Sequence, residues 1–106
     1  MGKASTALIN ACVNYLFFKK HFAWSCDNSA AYNPKLGFRV KNKSHRDGVA
    51  DICGVHKTGI ALFVEVKVGK DKQRDSQKTF QAEVEARGGI YIIVKTLDDL
   101  MKDLRI

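Results

Sequence analysis

Two acidic residues and a lysine lie close together in the middle of this sequence, in the segment DGVADICGVHKTGIALFVEVKVGK (47–70). Asp51 opens one run of β-branched and apolar residues, and Glu65 and Lys67 are embedded in a second run, ALFVEVKV. The short, glycine-containing turn HKTG separates the two runs, which predicts a β-hairpin. Because side chains alternate across a strand, Glu65 and Lys67 share one face, roughly 7 Å apart along the strand.

The register of this hairpin decides whether the two acidic side chains meet. Placing Thr58 at its centre puts Asp51 opposite Glu65, with both side chains on the same face. Two opposed carboxylates on a half-buried sheet repel each other unless a cation lies between them, and hard Mg²⁺ prefers carboxylate oxygens. We therefore predict that the pair binds Mg²⁺ (or Mn²⁺) against a phosphodiester, with Lys67 orienting or deprotonating a water or stabilising charge on phosphorus. The alternative for Glu65 and Lys67 is an ordinary ion pair on a solvent-facing sheet.

The charge balance indicates a polyanionic partner. Eighteen Lys and Arg against eleven Asp and Glu give a net charge of +7, and nucleic acid is the common partner of a small basic domain. The alternative is a solvated basic surface without a partner. The basic residues that we assign to nucleic-acid binding flank the acidic pair: Arg39, Lys41, Lys43, Arg46, Lys70, Lys72 and Arg74.

The remaining segments predict the elements that hold the acidic pair. A length of 106 residues fits one domain, 1–106, with one core. We predict a first helix of roughly 15 residues from near Ser5, short strands at FAWS and FRV, a helix from a capping Ser76 to Arg87, a buried strand IYIIV and a last helix capped by Thr96. This order predicts an α/β fold with a mixed central β-sheet flanked by α-helices.

The compartment can also be inferred from the sequence. The three cysteines are widely spaced, which suggests neither a disulfide framework nor a zinc site. No apolar run approaches the ~20 residues of a membrane span, and the first segment lacks the cleavage pattern of a signal peptide. We therefore expect a cytoplasmic protein of a reducing compartment, without a membrane partner.

Four blocks of the sequence resemble the virus-type replication-repair nuclease (VRR-NUC) domain of the PD-(D/E)XK nuclease superfamily. They are GVADICG (48–54), FVEVK (63–67), SQKTF (76–80) and GGIYIIV (88–94). The resemblance covers about half the chain, and the rest agrees in element order only. It implies a restriction-endonuclease-like core in which Asp51 and Glu65 are metal ligands, the backbone carbonyl of Val66 is a third, Lys67 is the catalytic lysine and Gln77 lines the active site.

The resemblance also implies a function. The chain is similar to small phage resolvases, which are metal-dependent, structure-selective DNA endonucleases that cut four-way (Holliday) junctions as homodimers in a bacterial or phage-infected cell. Two symmetric cuts need two sites, which favours a homodimer on branched DNA. The aromatic residues of the first helix, Tyr15, Phe17 and Phe18, could supply the interface, with Phe18 the best candidate for exposure.

Two other functions stay open at this point. One is a monomeric nuclease of DNA ends, nicks or flaps. The other is a DNA-binding module with a decayed site, because many relatives carry a glutamate near the start of the first helix, whereas the segment KASTALINAC has no acid. Ser5, Thr6 or Asn10 stands in that region instead.

Overall fold

The structure is a computed structural model that describes residues 3–26, 31–33, 35, 37–40 and 46–106. Its elements, in chain order, are α1 (Lys3–Phe18), β1 (Phe22–Ser25), β2 (Ala31–Asn33), β3 (Phe38–Val40), β4 (Ile52–Val55), β5 (Ala61–Val66), α2 (Asp75–Ala86), β6 (Ile90–Val94) and α3 (Leu97–Met101). The predicted α/β class, a mixed sheet flanked by helices, is confirmed. The predicted strands FAWS and FRV are also present, whereas β2 was not predicted.

The four-stranded sheet has the order β1-β4-β5-β6, and β2 and β3 form a separate antiparallel pair. β1 and β5 both run antiparallel to β4, while β6 runs parallel to β5. A parallel connection needs a long crossover, and α2 provides it. The β4–β5 pairing places Cys53 opposite Phe63, which is the register expected from a hairpin centred on Thr58.

One face of the sheet carries the apolar core. Alternate residues of β4, β5 and β6 lie on it and pack against α1 and α3, and the buried members of this cluster are Ile9, Cys12, Leu16, Ile52, Leu62, Val64, Val66, Ile90, Ile92, Val94 and Leu100. The opposite face is partly covered by α2, where Phe80 contacts Phe63 edge-on with ring centroids 5.1 Å apart. Glu65 lies on this second face, so α2 is the helix that borders the candidate site.

Several predicted helix boundaries and buried positions need correction. α2 begins at Asp75 with Arg74 as its N-cap, two residues before the predicted cap Ser76, because the Gln77 side chain accepts the hydrogen bond of the Arg74 backbone N–H. The helical spacing of the apolar residues of α1 predicts that Phe17 is buried, but it is 76% exposed in the last turn of that helix. The same spacing predicts that Leu104 continues the apolar stripe of α3, but α3 ends at Met101 and Leu104 is exposed. No described helix is long and apolar enough to cross a membrane.

Two buried histidines join the turn of the β4–β5 hairpin to distant parts of the chain. The rings of His21 and His56 lie 4.3 Å apart between centroids. His21 Nδ1 accepts a hydrogen bond from the Lys57 backbone N–H at 2.9 Å, and His56 Nε2 donates to the Arg105 carbonyl. The turn is thereby fixed both to the residue that precedes β1 and to the C-terminal residues.

Gly48 sets the distance between the hairpin and the start of α2. Its φ is +78°, and a Cβ built there would lie 2.2 Å from the backbone oxygen of Ser76 and 2.7 Å from the backbone nitrogen of Gln77. Only glycine allows both this backbone conformation and this approach. The glycine before Asp51 therefore lets the first turn of α2 pack against the segment that carries the acidic residue.

We expect Gly48→Ala to destabilise the protein more than Gly88→Ala, by about 1–3 kcal/mol. Gly88 has a similar φ of +81° but no atom within 4 Å of a built Cβ, so its substitution reports the conformational cost alone, about 1–2 kcal/mol. Urea denaturation of both variants gives the comparison. Equal free energies of unfolding would contradict the close approach of α2 to Gly48.

Candidate active site at the β4–β5 hairpin

The two acidic residues meet across the hairpin. Asp51 immediately precedes β4 and is half-buried, whereas Glu65 lies within β5 and is only 2% exposed. The Asp51 Oδ2 atom accepts a hydrogen bond from the Val66 backbone N–H at 2.8 Å, and Asp51 lies near enough to Glu65 to raise the pKa of that carboxyl group. The predicted juxtaposition is thus present, and it places a main-chain group of Val66 beside the pair.

The electrostatics of Glu65 reflect this crowding. Its pKa is raised from 4.5 to about 8, first by burial and then by the hydrogen bond and the charge of Asp51. The positive charge of Lys67 and the hydroxyl of Tyr91 act in the opposite direction but are not sufficient to offset the other two effects. Without a further cation, Glu65 is therefore protonated at neutral pH.

Lys67 lies directly beside the acidic pair. Its Nζ atom is 3.8 Å from Glu65 Oε1, and its side chain is only 11% exposed. The contact is therefore mostly buried: the pairing of Lys67 with Glu65 that the alternative predicts is present, but its predicted solvent-facing position is wrong. Burying such a pair in ionised form costs free energy that a single contact at this distance recovers only in part, so the contact is weak evidence for a stabilising role.

Tyr91 is a site residue that the sequence reasoning did not identify. It lies in β6 opposite Phe63, and its buried hydroxyl donates to Glu65 Oε2 at 3.3 Å. Burial together with the Glu65 charge raises the pKa of this phenol above its usual range. A hydroxyl inside the otherwise aliphatic run IYIIV was the available signal, because a buried hydroxyl needs a partner.

Gln77 is buried at the start of α2. Its Oε1 atom accepts a hydrogen bond from the Arg74 backbone N–H at 2.8 Å, which satisfies one of the free donors at the helix N-terminus. Its side-chain oxygen therefore has a structural role at the start of the helix. The predicted part of Gln77 in catalysis stays a prediction.

The structure places four of the predicted nucleic-acid-binding residues at the surface. Lys70, Lys72 and Arg74 are exposed on the loop that joins β5 to α2, and Arg46 is exposed just upstream of Gly48. Of the other three residues, Arg39 lies in β3, and Lys41 and Lys43 fall outside the described residues. The exposed loop residues follow directly after Lys67, so their charges border the acidic pair.

The donor set can be compared with the requirements of a metal ion. Within the part of the chain that is described, no cluster of three or more His, Cys, Asp and Glu side chains is arranged to hold a metal. The pair itself offers two carboxylates, and the Val66 main chain lies next to them. Mg²⁺ often binds through one or two carboxylates and retains several waters, so these residues fit that ion without a third acidic side chain.

A groove with a volume of about 880 Å³ lies beside the pair but does not contain it. It runs between α2 and the β4–β5 turn, and Phe63, Phe80 and Arg87 are among its lining residues. Asp51, Glu65 and Lys67 do not line it. A phosphodiester that contacts the acidic pair would therefore approach over the surface of the sheet and not through this groove.

The fold and the site together define an α/β protein with a buried acid pair and a lysine at one end of a mixed sheet. Comparisons with protein-family models, with curated proteins and with solved structures found no match to this chain. The assignment of a function therefore depends on the residues and their geometry.

We expect Glu65→Gln to change how the stability of the metal-free protein depends on pH. Because the folded-state pKa of Glu65 is raised to about 8, the folded protein retains a proton that the unfolded chain has lost between pH 4.5 and 8. The free energy of unfolding should therefore fall as pH rises through this window, by at most about 1.4 kcal/mol per pH unit. Glu65→Gln should remove that slope and be more stable than the natural chain at pH 8.

Glu83→Gln provides the matched control, since Glu83 is an exposed glutamate on α2 paired with Arg87. It should keep the pH dependence of the natural chain. Urea denaturation in EDTA at several pH values measures both variants, and a Glu65→Gln profile that parallels the natural one would show that Glu65 is ionised in the folded state.

Proposed function

We propose that this protein is a metal-dependent, structure-selective DNA endonuclease with a PD-(D/E)XK core of the VRR-NUC type, acting on four-way junctions. One observation supports this most strongly: the hairpin register opposes Asp51 and Glu65, and the Lys67 ammonium lies 3.8 Å from Glu65. A buried glutamate whose pKa is raised by burial and by a neighbouring aspartate is unfavourable for the fold by itself, and a cation bound at this position would account for it.

The carboxylates of Asp51 and Glu65 and the backbone carbonyl of Val66 would hold Mg²⁺ or Mn²⁺. When bound, such an ion supplies Lewis-acid activation of a phosphodiester and of a water. Asp51 is the half-buried member of the pair and so the more accessible to solvent, while Glu65 would contribute its negative charge from within the sheet. The Tyr91 hydroxyl fixes the orientation of Glu65 through its hydrogen bond.

Lys67 would act on the reacting phosphate directly. It follows Glu65 by two residues on the same strand face. Its side chain is mostly buried, so few water molecules screen the charge of its ammonium group. In such an environment a positive charge stabilises the negative charge that develops on phosphoryl oxygens more strongly than it would in water. The same group can orient the attacking water.

The surroundings of the pair favour a polyanionic substrate. The chain carries a net charge of +7, and Lys70, Lys72 and Arg74 are exposed beside the site. Contacts from such residues to phosphates give affinity without sequence preference. Selection of a branched substrate would then come from the arrangement of duplex arms, which two copies of the chain could contact together.

We expect Lys67→Met and Asp51→Asn to abolish cleavage while leaving DNA affinity within a few-fold of the natural chain. Asp51→Asn removes a metal ligand, but the amide oxygen can still accept the Val66 N–H, so the fold is retained. Labelled four-way junction, flap and linear duplex, each with Mg²⁺, Mn²⁺ or EDTA, measure the cleavage. Gel shift in EDTA measures the affinity, and a Mg²⁺ titration by calorimetry should show binding to the natural chain and none to Asp51→Asn.

Lys102→Met is the control for this experiment. Lys102 is an exposed lysine after α3 that pairs with Asp98, and it lies in the helix layer on the far side of the sheet. Its substitution should leave cleavage unchanged. Cleavage by Lys67→Met at the rate of the natural chain would refute the assignment, and cleavage that persists in EDTA would refute the metal requirement.

We expect a homodimer, because two coordinated cuts in a four-way junction require two sites held together. Phe17 and Phe18 are 76% and 75% exposed at the end of α1, so they are available for an interface, whereas Tyr15 packs partly against the core. Light scattering should give twice the monomer mass, and Phe18→Asp should lower it. A monomer that makes uncoordinated nicks would instead support the nuclease of DNA ends, nicks or flaps.

A further inference from the structure

The edge strand β1 presents two neighbouring aromatic side chains to solvent. Phe22 is 69% exposed and Trp24 is 46% exposed, and their ring centroids lie 5.2 Å apart. Val55, opposite Phe22 in β4, is also exposed. Large apolar side chains grouped on a surface contribute little to folding, and such a group often marks a binding surface.

The strand register places these aromatic residues on the same face of the sheet as the acidic pair. Trp24 is opposite Cys53, and Cys53 is opposite Phe63, so the three side chains share a face. Ala23, between the two aromatic residues, packs against the core on the other face. Continuing along β1, the Cys26 backbone N–H donates to the Asp51 carbonyl at 2.8 Å, so the strand leads from Phe22 to the candidate metal site.

Lysines surround the end of β1 that is far from the acidic pair. Lys19 and Lys20 precede His21 and Phe22 in the chain, and the Lys57 backbone N–H is bonded to His21. After burial and His56, the charges of Lys57 and Lys19 contribute to lowering the pKa of His21, the residue that precedes β1. The exposed aromatic pair thus has cations at one end and the acidic pair at the other.

The combination of aromatic side chains and lysines determines what can bind there. A nucleic-acid strand with unpaired bases offers the complementary chemistry, since its phosphates attract lysines and every base has a flat face that stacks on aromatic rings. A fully paired duplex offers only its phosphates, because its bases are already stacked inside.

We propose that Phe22 and Trp24 form a stacking surface for unpaired nucleobases, with Lys19, Lys20 and Lys57 contacting the adjoining phosphates. This inference rests on the proposed nuclease function and specifies its substrate: DNA that has unpaired bases next to the phosphodiester at Asp51 and Glu65. An opened junction centre, a flap and a single strand meet that requirement. A continuous duplex does not.

Trp24 is the only tryptophan of the chain, so its fluorescence reports directly on this surface. In EDTA, where no cleavage can occur, the natural chain is titrated with an oligothymidylate and with an abasic oligomer of the same length, which has the same phosphates but no bases. We expect the oligothymidylate to quench Trp24 and to bind at least about fivefold more tightly than the abasic oligomer. Equal affinity and equal quenching would overturn the inference, and this comparison needs no variant.

Substitutions at Phe22 separate stacking from simple apolar contact while retaining the Trp24 reporter. Phe22→Leu keeps an apolar side chain without an aromatic face, and we expect it to weaken the oligothymidylate at least about fivefold without affecting the abasic oligomer. Phe22→Tyr keeps the ring and should bind like the natural chain. Lys57→Gln should weaken both oligomers equally and lower the salt slope by about 0.7.

The outcomes distinguish this inference from the proposed function. Cleavage of junctions together with base-independent quenching would retain the nuclease and overturn the stacking surface. Base-dependent quenching by a chain that never cleaves DNA would overturn the nuclease and retain the surface. Trp24 emission that shifts with protein concentration alone, and is unaffected by Phe22→Leu, would show that the surface joins copies of the chain and would overturn the inference.

Discussion

The close approach of Asp51 and Glu65 is the constraint on which the arrangement of the other residues of the site depends. Two carboxyl groups on neighbouring strands repel when both are ionised, and burial of Glu65 increases the cost. The structure lowers that cost by several means: Lys67 lies within 3.8 Å, the Val66 N–H donates to Asp51, and the Tyr91 hydroxyl donates to Glu65. These groups orient the pair but still leave the pKa of Glu65 high. A site that holds two acids together at such a cost is typical of a centre prepared for a cation.

The geometry of this contact was accessible from sequence because the hairpin is local. Turn length and the alternation of side chains fix the register, and the register alone brings Asp51 to Glu65. The glycine before Asp51 was also recognisable, although its reason, the approach of the α2 backbone, required the structure. Thr96 as the cap of α3 is similar, because capping depends only on neighbouring residues, and its hydroxyl accepts the Asp99 N–H as expected.

The features that were missed depend on which layer covers which side chain. Tyr91 joins the site because β6 pairs in parallel with β5. That pairing follows from the crossover through α2 and cannot be inferred from the composition of IYIIV. Phe17 matches the apolar periodicity of α1, yet it is exposed in the last turn of the helix. Helical spacing alone does not show where the layer that covers a helix ends. The exposure of Phe22 and Trp24 follows likewise from the position of β1 at the sheet edge, which no pattern within FAWS reveals.

The mixed pairing of β5 also bears on the order in which the chain folds. β5 is joined to β4 by a short turn, whereas its contact with β6 requires the loop and helix between them, and short loops close sooner than long ones. We expect the two carboxylates to face each other in a nascent hairpin while both are still hydrated. Covering of Glu65 by α2 and Tyr91 would follow late. The electrostatic cost of burying Glu65 would then affect the rate of unfolding more than the rate of folding. A bound cation that offsets this cost would therefore mainly slow unfolding.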